Sequence, residues 1–241
     1  IYLNVRPDII ALQEVSKRYR AQENNLFDLV SPVYREISTP AFNRAQNNST
    51  PLLYQEGRFR ILHYGYHFFQ DGICDNSKSI TWALFQERGA GKRFVYASTH
   101  FIHTSEDGRM IDGDQAKLVC DALVRYYGCP VFIGGDYNCG RLSPAYRHLI
   151  LHGFLNLYDL APNAPTIKSF HPYPEWDDEK RAYVASRTEA DGDFNSSIDH
   201  IFYYGKEEWI PEVERYTVVT DENAKIASDH YPIYVDLVLH N

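Results

Sequence analysis

Apolar, β-branched runs that stop at a carboxylate or an imidazole recur along this chain. The clearest is Val131-Phe132-Ile133, which runs into Gly134-Gly135-Asp136-Tyr137-Asn138. If the backbone stays extended, Asp136 and Asn138 fall on one side and face one ligand, and the two glycines permit close backbone approach. The same residues also suit an Asx turn. Four other segments share the design. One run from Pro7 through Ile9-Ile10-Ala11-Leu12-Gln13 ends at Glu14, and Phe94-Val95-Tyr96-Ala97-Ser98-Thr99 ends at His100. Asp199 opens the run His200-Ile201-Phe202-Tyr203, and Asp229-His230 precede a final strand from about Ile233. Each of these residues alone has a structural use, as a cap or a core histidine. Together they fit reactive groups gathered at one rim of a sheet.

Between these points the pattern predicts conventional elements. Lys17 to Leu29 reads as helix or loop around Leu26, Phe27 and Leu29. Pro51–Gln55 and Phe59–Leu62 flank Glu56-Gly57-Arg58 as a hairpin, and Ile80–Phe85 and Arg93–Thr99 flank Gly89-Ala90-Gly91 as another. Met110 to Tyr127 predicts an amphipathic helix with Ile111, Ala116, Val119, Leu123 and Tyr126 near one face. Ser143-Pro144 marks an N-cap and first helical position for a helix to about His152. From Pro162 to Ser197 periodicity gives way to a long polar excursion, of the kind that overhangs a site.

Composition narrows the picture modestly. With 24 basic and 32 acidic residues the formal net charge is −8. Such a balance disfavours a wide basic footprint for a phosphate backbone, although a divalent cation supplies positive charge locally. Most of the 19 tyrosines suit half-buried strands, with a minority available for stacking in a cleft. Cys74, Cys120, Cys129 and Cys139 lack zinc-type spacing; Cys120 reads as helix core and Cys139 as a loop thiol beside the site. No run is long and apolar enough to span a membrane, and no secretory signal opens the chain. The expectation is a soluble protein, cytoplasmic or secreted after signal removal, and nothing indicates its oligomeric state.

In order along the chain, Gln13-Glu14, Thr99-His100, Gly135-Asp136-Tyr137-Asn138, Asp199 and Ser228-Asp229-His230 resemble the endonuclease/exonuclease/phosphatase superfamily, which includes pancreatic deoxyribonuclease, abasic-site endonucleases, bacterial sphingomyelinases and inositol polyphosphate 5-phosphatases. The resemblance implies a four-layer α/β sandwich of the DNase I-like kind, with two mixed sheets face to face and helices outside. It also implies hydrolysis of a phosphodiester or phosphomonoester with Mg²⁺ or Mn²⁺. Glu14 would be the first metal ligand and Asp229 a second. Asp136 would orient or deprotonate the attacking water, and Asn138 would hold a phosphoryl oxygen. His230, charged through Asp199, would contact the phosphate, with His100 opposite as a second contact or proton donor. Thr166 to His171 resembles a substrate-side segment; the remaining histidines, His103 among them, have no motif support.

Departures from the family pattern matter as much. Members usually begin with an Asn-bearing strand well upstream of the Glu, and Asn4 is too close to Glu14 for the strand, loop and helix between them. The reading is therefore one domain over 1–241, without the usual first strand and helix, leaving a sheet edge open to pairing. Asn48 stands where many members have a Glu, and Lys78 where an Arg is common; both are candidate substrate contacts. Lysine supplies charge without the planar fork that grips phosphate bidentately. Ser197-Ile198-Asp199-His200 lacks the Trp-Cys-Asp-Arg of 5-phosphatases, and no exposed aromatic or apolar hairpin of the sphingomyelinase kind is clear in the sequence. The Gly-Asp-Tyr-Asn segment with Ser143 to Leu149 looks more like general bacterial members and deadenylase-type nucleases. The substrate, a nucleic acid, phospholipid or sugar phosphate, stays open. The alternative is an inactive member that binds phosphorylated ligands.

Overall fold

A computed structural model describes residues 5–16, 21, 25–38, 50–70, 78–186 and 192–240. Asn4, Asn48 and Cys74, and the readings placed on them, lie outside those residues. In chain order the strands are β1 (Ile9–Ala11), β2 (Tyr34–Ile37), β3 (Leu52–Gln55), β4 (Phe59–Phe68), β5 (Ser79–Glu87), β6 (Arg93–His100), β7 (Val131–Asp136), β8 (Leu155–Asn156), β9 (Glu175–Asp177), β10 (Ala182–Val184), β11 (Asp199–Tyr204), β12 (Glu212–Val218) and β13 (Ile233–Val238). The helices are α1 (Leu26–Val30), α2 (Glu106–Tyr127), α3 (Pro144–Leu151) and α4 (Glu222–Ala227). No helix among the described residues is long and apolar enough to cross a membrane.

The largest sheet has the order β4-β5-β6-β7-β11-β8 and is mixed, because β6 and β7 run parallel while its other pairs are antiparallel. On one face Leu84, Val95, Ile133 and Phe202 pack against Ala116, Cys120 and Leu123 of α2 and Leu149 of α3. On the other, Phe85, Phe94, Phe132 and Ile201 meet Leu52 of β3 and Val213, Tyr216 and Val218 of β12. Beyond β3, Val30, Tyr34 and Leu53 gather Leu26 and Phe27 of α1. The layers are thus helix, sheet, sheet and helix, the expected α/β sandwich. The second sheet layer is antiparallel, and among the described residues it comprises β1-β3-β2 and a separate β12-β13 ribbon.

β7 is buried along its whole length between β6 and β11. Its glycines admit neighbouring protein, not the ligand that the sequence suggested. A Cβ at Gly135 would lie 2.0 Å from the Thr99 carbonyl oxygen, and one at Gly134 would lie 2.7 Å from the Tyr96 hydroxyl. Close approach of β6 brings His100 opposite Asp136, while the β11 register brings Asp199 opposite Asp136 from the other side. Ser79 of β5 pairs with His100, so Lys78 stands at the same end of the sheet.

Several local expectations change. Gly89 to Gly91 does join the antiparallel pair β5 and β6. Residues 56–58, by contrast, turn the chain from one sheet to another: β3 pairs with β1 and β2, and β4 pairs with β5. Leu52 and Leu53 are both buried, in different cores, so β3 is covered on both faces as a central strand should be. Helix α2 starts at a Ser105 N-cap and ends on left-handed Gly128. Its buried stripe is Gly108, Asp112, Gly113, Ala116, Cys120 and Leu123, whereas Ile111 and Tyr126 are exposed. Small residues face inward because α3 packs closely; a Cβ on Gly113 would sit 3.3 Å from Leu149 Cδ2. Helix α3 has the expected Ser143 cap and Pro144 start. Within 162–197, β9 and β10 form a short hairpin and Phe170 bridges to His230, which ties this excursion to the strand ends.

Candidate active site

The strand run toward Glu14 ends early, at Ala11, and Glu14 has a left-handed φ of 56°. The segment is pinned to β6: Gln13 Nε2 donates to Ser98 Oγ at 3.1 Å, and Ser98 Oγ donates to Leu12 O at 3.0 Å. Glu14 projects into solvent, with Oε1 3.9 Å from Nε2 of the buried His100. That same Nε2 lies 2.5 Å from Lys78 Nζ and 3.3 Å from Asp136 Oδ2. Lys78 is itself buried. His100 Nδ1 is buried without a hydrogen-bond partner.

Asp136 and Asn138 do not share an extended backbone. Asn138 has φ 52°, and its N–H donates to Asp136 Oδ1 at 2.8 Å, which closes an Asx turn. Asn138 Nδ2 donates to Phe101 O at 3.0 Å and to Asp136 Oδ2 at 3.3 Å. The turn therefore fixes the carboxylate. Burial pushes the Asp136 carboxyl up, but the hydrogen bond and charge of His100, with the charge of His230, hold it below the ordinary range.

On the far side of Asp136, His230 Nδ1 lies 2.9 Å from Asp199 Oδ2 and 3.1 Å from Oδ1. Burial works against a charged His230, yet the Asp199 hydrogen bond and charge raise its pKa to about 9. Asp199 is buried, and desolvation raises its own pKa, with His230 and Ser169 drawing it back only in part. Donor atoms of Asp136, Asp199 and His230 lie within 4.8 Å of one another. Asp229 is half-buried; its carbonyl accepts from His171 N at 2.8 Å. The Tyr173 hydroxyl is raised by the charge of Asp229 and by a hydrogen bond to it, and more weakly by Glu14, so these carboxylates share one neighbourhood.

Supporting residues complete the site, and one of them, Ser169, lies within the Thr166 to His171 segment, although the sequence does not mark its role there. Ser169 is fully buried; its hydroxyl donates to Asp199 Oδ2 at 2.7 Å and accepts from Asp199 N and Ile198 N at 3.1 and 3.2 Å. Asp112 accepts from Ile102 N at 2.9 Å and so holds the turn after His100. His200, next to Asp199, donates from Nε2 to Cys139 O at 3.0 Å and accepts from Asn156 Nδ2 at 3.2 Å. Burial pushes its pKa down to about 4. The Cys139 thiol beside the site is buried and pushed up to about 12, which makes it inert.

The model of the endonuclease/exonuclease/phosphatase family matches residues 1–230. The chain belongs to this family. Its fold is similar to an endonuclease/exonuclease/phosphatase from Bacteroides vulgatus, 22% identical, with TM-score 0.75 over 99% of this chain and 87% of that one. It is also similar to the mannosyl-6-phosphatase of Bacteroides thetaiotaomicron, 20% identical, with TM-score 0.75 over 98% and 87%. The human Nocturnin catalytic domain, solved with a bound sulfate anion, is 16% identical, with TM-score 0.71 over 99% and 83%. No curated protein matched by sequence. Against the family frame, Glu14, Lys78, His100, Asp136, Asn138, Asp199, Asp229 and His230 gather at one end of the large sheet, and Asn48 lies outside the described residues.

Proposed function

We propose that this family member is a divalent-metal-dependent phosphoester hydrolase, with Mg²⁺ or Mn²⁺ as the ion. The observation that supports this most is the continuous row Lys78, His100, Asp136 and Asp199 across four adjacent strand ends of one sheet, joined by His230 from the segment before β13. Glu14 and Asp229 fit such an ion in kind: both offer carboxylate oxygens, the donors that hard cations prefer. Bound there, the ion would supply positive charge against the phosphoryl oxygens.

The remaining tasks fall to the chain itself. Asp136, held ionised by its neighbours, orients the attacking water and accepts its proton as the new P–O bond forms. The ester P–O bond breaks opposite it, and the leaving oxygen departs as an alcohol after taking a proton from solvent. Asn138 and the Asx turn fix that carboxylate; a grip on a phosphoryl oxygen requires the Asn138 amide to exchange one of its present acceptors. His230 engages Asp199 through Nδ1 and turns its protonated Nε2 to the phosphoryl group, where charge builds in the transition state. Lys78 provides positive charge on the opposite side, against His100 Nε2. Ser169 is a positioning residue that orients Asp199.

The substrate class is narrower than the chemistry. A chain with net charge −8 offers little general attraction to a polyanion, which favours a small or locally gripped phosphoester, such as a sugar phosphate or a nucleic-acid end. Exposed Trp176 and Tyr183 on the β9-β10 hairpin offer apolar faces to a ring beside the phosphate. The test is turnover of sugar phosphates, single-stranded DNA, RNA and phospholipids with Mg²⁺ or Mn²⁺. Hydrolysis that stops with EDTA and with Asp136→Asn supports the proposal. Binding of a phosphorylated ligand with no turnover of any substrate would favour the inactive alternative, and EDTA-insensitive turnover would remove Glu14 from its role.

A further inference from the structure

A second group of ligating side chains lies in the helical layer, away from the strand ends. His148 on α3 and His152, the residue that caps its C-terminus one turn later, point the same ring nitrogen at one oxygen of Asp114 on α2. His148 Nε2 is 2.7 Å and His152 Nε2 2.6 Å from Asp114 Oδ1, and the two nitrogens are 3.0 Å apart. The donor atoms of all three residues lie within 4.8 Å of one another. The rings are 4.2 Å apart between centroids, and their side chains are only 28% and 24% exposed. Gly113 helps bring them there, since a Cβ at that position would meet His148 Cδ2 at 3.7 Å and Leu149 Cδ2 at 3.3 Å.

The shared Asp114 oxygen can accept from both rings. Partial burial pushes the Asp114 carboxyl up, but the hydrogen bonds and charges of His152 and His148 hold it below its ordinary range. That arrangement sets two protonated Nε2 atoms 3.0 Å apart, a crowding that a cation at the centre would relieve. With a cation at the centre, the same three atoms turn lone pairs inward without competition. Ligand atoms of a tetrahedral zinc site stand roughly 3.3 Å apart, so the two rings need to separate by about 0.3 Å and the carboxylate oxygen to draw back from them by about 0.6 to 0.7 Å. Two imidazoles with one carboxylate suit Zn²⁺, or a similar transition metal, better than Mg²⁺.

We propose that Asp114, His148 and His152 form a Zn²⁺-type site that clips α3 to α2, separate from the proposed catalytic ion. Helix α3 is already held at its start, where Ala145 N donates to Glu106 Oε1 of α2 at 2.7 Å. A metal near its end would fix the second point of that helix pair. Three protein ligands leave a position for water.

The test is Zn²⁺ binding to the whole chain by calorimetry in excess Mg²⁺, with the thermal midpoint and the visible spectrum of the Co²⁺ form as further readouts. Wild type is expected to take up one equivalent that raises the midpoint, and Co²⁺ to give the intense absorption of a tetrahedral site. His148→Gln with His152→Gln should weaken this uptake by at least about 100-fold, since even outer-shell changes cost 10–100-fold. Asp114→Asn, at an exposed side chain, is the second variant and should weaken it in the same direction. Glu14→Gln should leave it intact. If the double histidine variant keeps the same zinc stoichiometry and midpoint shift, or if Glu14→Gln alone abolishes them, the proposal is overturned.

Discussion

Asp199 carries charge to the site through another residue. Its carboxylate is why His230 stays protonated to about pH 9, and Ser169 is why that carboxylate is aimed. In Asp199→Asn the ring loses its counter-charge and returns toward the ordinary histidine value of about 6.5. Turnover should fall by about 100-fold or more at neutral pH, within the usual range for a lost acid–base element. The alkaline limb of the rate profile should move from near 9 toward 6.5; an unmoved limb would break the His230 assignment. Ser169→Ala should shift the limb the same way by less, with kcat falling and KM held. The neighbouring His200 affects stability instead. Its folded pKa of about 4 lies below the unfolded value of about 6.5, so it stays neutral in the fold but takes a proton on unfolding. Its contribution is fully present above about pH 6.5 and drains away as pH falls toward 4, by roughly 3 kcal/mol in all. Urea midpoints between pH 7 and 4 should show this loss in wild type and much less of it in His200→Gln. Glu14, His100, Asp136, Asp199 and His230 were legible in the sequence because each ends or opens an apolar run. Ser169 was legible only as part of the Thr166 to His171 segment; its contact with Asp199 is made by folding across 30 residues and has no periodic signal.

Among the elements, β7 leaves the least freedom. Gly135 faces the Thr99 carbonyl so closely that any side chain must displace backbone of β6, the strand that ends in His100. Gly135→Ala should therefore destabilise the protein by ~3 kcal/mol or more, as forced overpacking does. Urea unfolding should show this, and turnover should fall even where the variant remains folded, since the Asp136 and His100 register is disturbed. A variant with wild-type stability and rate would mean that β6 and β7 stand further apart. Element types were legible where local chemistry decides them, as in the Ser143-Pro144 start of α3 and the turn between β5 and β6. They were misread where the third dimension decides. Residues 56–58 form a turn in either case, and only the burial of Leu52 and Leu53 in separate cores sends β3 and β4 to different sheets. Hydrophobic periodicity reached Ala116 and Leu123 of the inward face of α2, but much of that face is small or polar, so the periodicity also took in Ile111 and Tyr126, which are exposed.

Across the whole molecule, the groups at the strand ends come from positions as far apart as Glu14 and His230, yet they do not rest on equally firm supports. Lys78, His100, Asp136 and Asp199 stand in or beside the ladders β5-β6-β7-β11, whose residues fill both large cores. Among the described residues Glu14 follows a three-residue strand that pairs with β3, and its segment reaches the large sheet through Gln13, Leu12 and Ser98. Local opening is cheapest where few buried contacts and hydrogen bonds must be broken, so the Glu14 segment should open before the sheet does. In urea, Mg²⁺-supported turnover is therefore expected to decline at lower denaturant than far-UV circular dichroism, and added Mg²⁺ should narrow the gap by binding the closed form. Amide exchange should rank β6 and β7 as the most protected strands and Ile9–Ala11 among the least. Coincident loss of turnover and secondary structure, unaffected by Mg²⁺, would mean that Glu14 is held as firmly as Asp136, or that the ion does not depend on it.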